Sequence, residues 1–198
     1  QGLDTISAGV VIAWAMECFE RGLLTEKDTG GLALRFGDAQ AMVTLVERIA
    51  ARQGVVDLLA EGSLRSAQTV GRGTARYAMQ AKGQEFPMHE PRIKFGLGLG
   101  YATSPTGGDH MHNIHDTNYA REGGSIEGMR ALGVLHPIPV DDLGPDKVRL
   151  AKYVIDWEVF GNCVGLCAFM PYSRDQVRDL VRAVTGWNAT AFELMKVG

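Results

Sequence analysis

The chain has 198 residues, of which 45% are apolar and 22% charged, with 20 basic and 23 acidic side chains for a net charge of −3. That length supports one sizeable core or two small lobes, and the composition is not that of a disordered chain. No concentrated positive surface is available for nucleic acid, and no apolar run reaches the roughly 18 residues of a membrane span.

The first apolar stretch runs from Thr5 to Arg21, with Ile6, Val10, Ala13, Trp14, Met16 and Phe19 at helical spacing. Asp4 or Thr5 serves as a start signal and Gly22 as a stop. Charges enter this helix only at Glu17, so it is expected to be buried on most sides. A second helix is expected over Asp38–Arg52, ended by Gly54, and a third over Val55–Ala67, the short link favouring a helical hairpin. A short helix is expected around Gly71–Ala78.

Periodicity then stops. Lys94-Phe-Gly-Leu-Gly-Leu-Gly-Tyr101 alternates glycine with apolar residues and reads either as a weak strand or as a turn or short helix that holds backbone close to something. Thr103–Asp109 is turn-rich, with a helix start expected near Pro105 or Asp109. Helices resume at Ser125–Leu132, Pro145–Phe160 and Ser173–Thr185, with Val134–Leu143 as a connector and Trp187–Val197 as a last short helix. Little β-structure is expected, and no internal repeat is present.

Three clusters carry candidate chemistry. In Asp109-His110-Met-His112-Asn113-Ile-His115-Asp116, three of the chain's five histidines fall together. On a helix, His112 would share a face with His115 and Asp116. Imidazoles and carboxylates ligate transition metals and move protons near neutral pH, although the spacing matches no zinc motif. The alternative is a polar helix start with hydrogen-bonded histidines. The second cluster is Asn162-Cys163-Val-Gly165-Leu166-Cys167. With only three cysteines in the chain (Cys18, Cys163 and Cys167), no all-cysteine cubane can be completed within it. A buried apolar role for the thiols is the simpler reading, and so few cysteines favour a reducing, cytoplasmic compartment. The third cluster, Lys82-Gly-Gln-Glu85-Phe-Pro-Met-His89-Glu90-Pro-Arg92, is either an anion-binding loop or an exposed salt-bridged one. No P-loop, dinucleotide-binding glycine fingerprint or serine nucleophile elbow is present.

Taken in order, the motifs resemble the tungsten or molybdenum aldehyde:ferredoxin oxidoreductases. The matching residues are Gly2-Leu-Asp4-Thr-Ile-Ser7-Ala-Gly9, Leu59-Ala-Glu61-Gly62, Lys82-Gly83-x-Glu85-x-Pro87 with Pro91-Arg92, Tyr101-Ala-Thr-Ser-Pro105 with Gly107-x-Asp109-His110, Gly165-Leu-Cys167 with Phe169, and Thr185-Gly-Trp187. The resemblance implies a mainly α fold comprising the two helical domains of that family, truncated at both ends, with a lobe change near residues 80–125. A β-rich N-terminal pterin domain would lie outside the chain.

It also implies a tungsten or molybdenum atom held by two pterin dithiolenes beside a [4Fe-4S] cluster. The family has two pterin-contact motifs of the form Asp-x-x-Gly-Leu followed by Asp or Cys. The first survives here as Gly2-Leu3-Asp4. The second is Asn162-Cys-Val-Gly165-Leu166-Cys167, with an uncharged Asn162 in the usual Asp position. Cys167 matches the last cluster ligand, the other three lying upstream, and Cys163 falls at a variable position. His110 matches the histidine near the metal and is the candidate for proton transfer. His112, His115, Asp116 and Arg92 are candidates for the substrate channel.

The implied reaction converts an aldehyde to a carboxylic acid, with electrons leaving through the cluster to ferredoxin or an iron–sulfur subunit. A homo-oligomer is compatible with the resemblance. The chain alone is expected to retain no cofactor and to be inactive. Two alternatives accompany this reading: a member like the reductase of the benzoyl-coenzyme A ring, or a non-catalytic helical module with its own His-cluster metal site.

Overall fold

The computed structural model describes residues 2–196, apart from the side chain of Val55. The chain divides into two compact units. One holds the chain up to His89 together with Ser104–Asp109; the other holds Glu90–Thr103 and the chain from His110 onward.

The first unit is organised around α1 (Thr5–Glu20), whose Asp4 cap accepts hydrogen bonds from the amides of Ile6 and Ser7. As its uninterrupted apolar sequence predicts, α1 buries residues on several sides: Val11, Ile12, Trp14, Ala15, Met16 and Cys18. The Trp14 indole N–H donates to the Thr74 carbonyl at 3.1 Å, which satisfies a polar atom that burial would otherwise leave unpaired. Helix α2 (Ala39–Ala50) is capped by Asp38 and turns Ala41, Leu45 and Ile49 onto this core.

The expected third helix is broken. Residues Gly54–Glu61 form a 3₁₀ helix, and α3 spans Ser63–Val70. The break falls at Gly62, whose φ of 84° lies outside the helical range. The next expected helix shrinks to one 3₁₀ turn, Thr74–Tyr77. Strands β1 (Gln80–Ala81) and β2 (Gln84–Glu85) pair antiparallel across the tight turn Lys82-Gly83, where both residues have positive φ. This hairpin delivers the Glu85 carboxylate into the unit, where it accepts from the amide of Ser63 at 2.6 Å and from its hydroxyl at 2.8 Å, at the start of α3.

In the second unit the alternating Gly segment is a helix, α4 (Phe95–Thr103), not a strand. After it come a 3₁₀ turn (Asp116–Tyr119), α5 (Gly124–Arg130), α6 (Pro145–Cys163), α7 (Arg174–Thr185) and α8 (Ala191–Met195). Pro145 starts α6 where its missing N–H is harmless. The N-termini of α7 and α8 are closed by reciprocal side-chain caps, Ser173 with Gln176 and Thr190 with Glu193. The last helix is shorter than the expected Trp187–Val197, and Val197 lies outside the described residues. One apolar cluster gathers Ile114, Ile126, Met129, Val134, Ile138, Leu150 and Val154; a second gathers Phe160, Val177 and Leu194. Helix α6 contributes to both. No helix starts at Pro105 or Asp109: residues 104–115 are turns and irregular chain, so the helical geometry expected for the histidines does not form.

Candidate functional site

The histidine loop is fastened to α4, and the glycines of α4 are what allow it. A Cβ at Gly96 would lie 2.6 Å from the Asp116 carboxylate, and one at Gly100 would lie 1.9 Å from the Asn113 side chain. These positions are one helical turn apart, so Gly96 and Gly100 open a single groove in which the segment 113–116 lies. Asn113 donates to the Leu97 carbonyl and accepts from the Ile114 amide. Asp116 accepts from the amides of Gly96 at 3.0 Å and Leu97 at 2.9 Å, satisfying donors in the first turn of α4. Lys147 of α6 donates its ammonium to the same Asp116 carboxylate, and both side chains are fully buried.

Asp116, a candidate for the substrate channel on the sequence, is fully buried, and its two oxygens are engaged by two amides and an ammonium. Sequence reasoning missed Lys147 and Asn113. The signal for Lys147 was its place on the stripe Lys147, Leu150, Ala151, Val154, a lysine where the helix presents its buried face.

The three histidines of the loop are half-buried. The His110 and His115 rings meet edge to face, with centroids 5.9 Å apart and planes at 90°. The His115 imidazole also donates to the backbone carbonyl of His110; burial, then the nearby Lys94 and then His110, lower its proton affinity. Among the described residues, no group of three or more His, Cys, Asp or Glu side chains gathers in a metal-holding arrangement.

The Cys167 segment is shaped by how α6 ends. The Gly165 amide donates to the Asn162 carbonyl at 3.1 Å and the Leu166 amide to the Gly161 carbonyl at 3.0 Å, with Gly165 at φ 75°. These two bonds close the helix on a left-handed glycine, and Leu166 folds back onto the cluster containing Phe160. Cys167 follows at once and is exposed, as are Asn162 and Cys163. The spacing Asn-x-x-Gly-Leu-Cys is therefore a helix stop that presents a thiol just past it, and one exposed sulfur fits a single ligand of a cluster completed by other residues.

Asp4 belongs to the first unit, where one carboxylate oxygen caps α1. Arg92 is an exposed side chain whose guanidinium forks onto Glu90, with bonds of 2.8 and 2.7 Å, and this pairing holds the Glu90 carboxyl down at about 2. Of the sequence-selected residues, the second unit brings together His110 and His115 directly, while Asp4 lies in the other unit.

The site and fold thus define a mainly helical module of two units, carrying a capped helix end with an exposed thiol and an anchored histidine loop. The family model for domains 2 and 3 of aldehyde ferredoxin oxidoreductase matches residues 1–198. Tungsten-containing aldehyde ferredoxin oxidoreductase of Pyrococcus abyssi is 34% identical over 202 residues, covering 100% of this chain and 31% of the relative. The protein of the same description from Pyrococcus furiosus is 34% identical over 200 residues, again covering 100% and 31%. An aliphatic sulfonate oxidoreductase, WOR-like subunit, of Pyrococcus furiosus is 35% identical over 115 residues, covering 55% of this chain and 18% of the relative. The solved active site complex BamBC of benzoyl coenzyme A reductase, in complex with 1,5-dienoyl-CoA, matches with a TM-score of 0.69 at 23% identity, over 98% of this chain and 34% of that one. That last likeness establishes the fold. The chain belongs to the aldehyde ferredoxin oxidoreductase family and corresponds to its domains 2 and 3. It spans about a third of the length of its curated relatives.

Proposed function

We propose that the protein containing this chain is a tungsten- or molybdenum-pterin oxidoreductase that converts an aldehyde and water to a carboxylic acid, two protons and two electrons. The electrons pass through a [4Fe-4S] cluster to ferredoxin or an iron–sulfur subunit. The observation that carries the reading is the exposed thiol of Cys167 set just past a capped helix end, in a chain whose whole length matches the family.

In this reading the two units are the two helical domains, and an upstream domain completes the cofactor site. Cys167 supplies one cluster ligand. Asn162 and the backbone of Gly165 and Leu166 would hold one pterin, and the Gly2-Leu3-Asp4 turn would hold the other, where Asp4 has one carboxylate oxygen beyond the one that caps α1. The metal–pterin group supplies the redox chemistry at the aldehyde carbon. A ring nitrogen of His110 takes up one of the released protons. In the same reading, His112 and Arg92 serve the substrate approach.

The test is metal analysis and turnover of the full-length protein purified without oxygen. Tungsten or molybdenum with an iron–sulfur cluster, and aldehyde-dependent reduction of an artificial acceptor, are expected. Loss of cluster iron in Cys167→Ser is expected as well. Turnover of an aromatic coenzyme A thioester without aldehyde activity would replace this reading with that of a ring reductase.

A further inference from the structure

We propose that His115 is a positioning residue for His110, holding that imidazole in a fixed orientation through an edge-to-face ring contact and a hydrogen bond to its backbone carbonyl. The inference rests on the reading of His110 as the proton-transfer group.

The argument starts from rigidity. His110 lies in irregular chain outside any helix or strand, beside the exposed Met111. A proton acceptor in such a place needs outer support to keep its geometry. His115 is well placed to give it. Asn113, Ile114 and Asp116 around it are all buried; two of them are hydrogen-bonded to α4, and Asp116 is bound also to Lys147 of α6. The backbone at 115 is therefore a fixed post.

From that post the ring reaches back five residues to His110, at a centroid distance of 5.9 Å. Lys94, His110 and Asp116 are the titratable groups that act on it, and Lys147 lies behind Asp116. Burial and Lys94 disfavour its charged form, and a hydrogen bond ties its ring to the His110 carbonyl. Ring contact and hydrogen bond together let it orient His110.

The test uses the full-length holoenzyme with acetaldehyde as probe substrate and methyl viologen as acceptor. His115→Phe keeps a ring edge against His110 and lacks the donor; His115→Gln keeps an N–H donor and lacks the ring. In parallel, carbethoxylation of His110 by diethyl pyrocarbonate is followed by peptide mass spectrometry against the exposed His136. In His115→Phe, kcat is expected to fall roughly 10- to 100-fold with KM unchanged, the usual effect of a misplaced catalytic group. His110 modification is expected to accelerate relative to His136, and His115→Gln to recover part of both. Wild-type kcat and wild-type His110 modification in both variants would overturn the positioning role. His110→Asn separates the two ideas. Wild-type turnover in that variant removes the proton-transfer reading, while the modification rates still decide whether His115 holds His110.

Discussion

Each unit buries a carboxylate against the first turn of a helix, and the two are balanced differently. In the first unit Glu85 reaches α3 from a hairpin and is met by the Ser63 amide and hydroxyl, both neutral donors. In the second, Asp116 reaches α4 from the histidine loop and is met by two amides and the Lys147 ammonium. The dipole of a helix N-terminus favours a carboxylate in both places. Only the second adds a buried countercharge, which ties a third element, α6, to the same point. The stretch beside the candidate catalytic residue is thus the one held by a charge-paired junction, whereas the corresponding junction in the first unit has only a fold to maintain.

Removing one partner of a buried pair leaves the other uncompensated, so the largest effect belongs to the second unit. Asp116→Asn in the full-length protein should lose about 3–5 kcal/mol, read from urea denaturation. Because the penalty is mostly the stranded Lys147 ammonium, the double variant Asp116→Asn/Lys147→Met should be more stable than Asp116→Asn alone. A double variant no better than the single would mean that the helix cap, and not the charge pair, is what matters. Glu85→Gln strands no cation and should lose only about 1.5–3 kcal/mol, the range for hydrogen bonds to a charged group. Equal losses at the two positions would erase the distinction between the junctions.

A second contrast involves the repeated Gly-Leu turn. Gly2 has φ 74° and Gly165 φ 75°, and a Cβ at either would meet nothing within 4 Å. Their substitution therefore probes backbone strain alone, at about 1–2 kcal/mol for alanine in the left-handed region. Both leucines pack inward, Leu3 on the core around α1 and Leu166 on the cluster with Phe160. The residue after each differs: Asp4 starts a helix, whereas Cys167 follows one and stays exposed. Gly165→Ala and Gly2→Ala should thus cost similar stability, but on the proposed function only Gly165→Ala should lower cluster iron, because only that turn leads into Cys167.

The smallest effect concerns Glu158 on α6, whose carboxyl burial pushes up against the opposing influence of Arg174. A raised value in the folded state means that the native protein holds this proton more tightly than the unfolded chain. The resulting stabilisation is complete at low pH and is lost as pH rises through the folded value. Glu158→Gln should therefore melt above wild type at neutral pH, with the gap narrowing as pH falls through the carboxylate range. A gap that widens on acidification would show that Glu158 is held by a partner and is not penalised by burial.

Much of this was legible along the chain. Apolar spacing gives α1, α2, α5, α6 and α7 to within about three residues at each end, because periodicity is a local signal. The ordered motifs give the family, since they depend on residue identity and not on shape. The alternating glycines announced a close backbone approach, but the partner, Asn113–Asp116, became visible only when the chain folded back on α4. The same holds for the break at Gly62. A Cβ there would lie 2.9 Å from the carboxylate of Glu85, which arrives on a hairpin more than twenty residues further along. Residues 110–116 mislead a periodicity argument because His112, His115 and Asp116 at helical spacing look like one face. Their conformation is dictated instead by Asn113 and Asp116 seeking donors and acceptors on another element. The order of residues is thus enough for the helices with clear apolar spacing and for the family. That Lys147 pairs with Asp116, and that the His115 ring meets the His110 ring, is settled only by folding in three dimensions. Burial of charge and contact between distant segments are properties of the folded chain, with no local trace in the order of its residues.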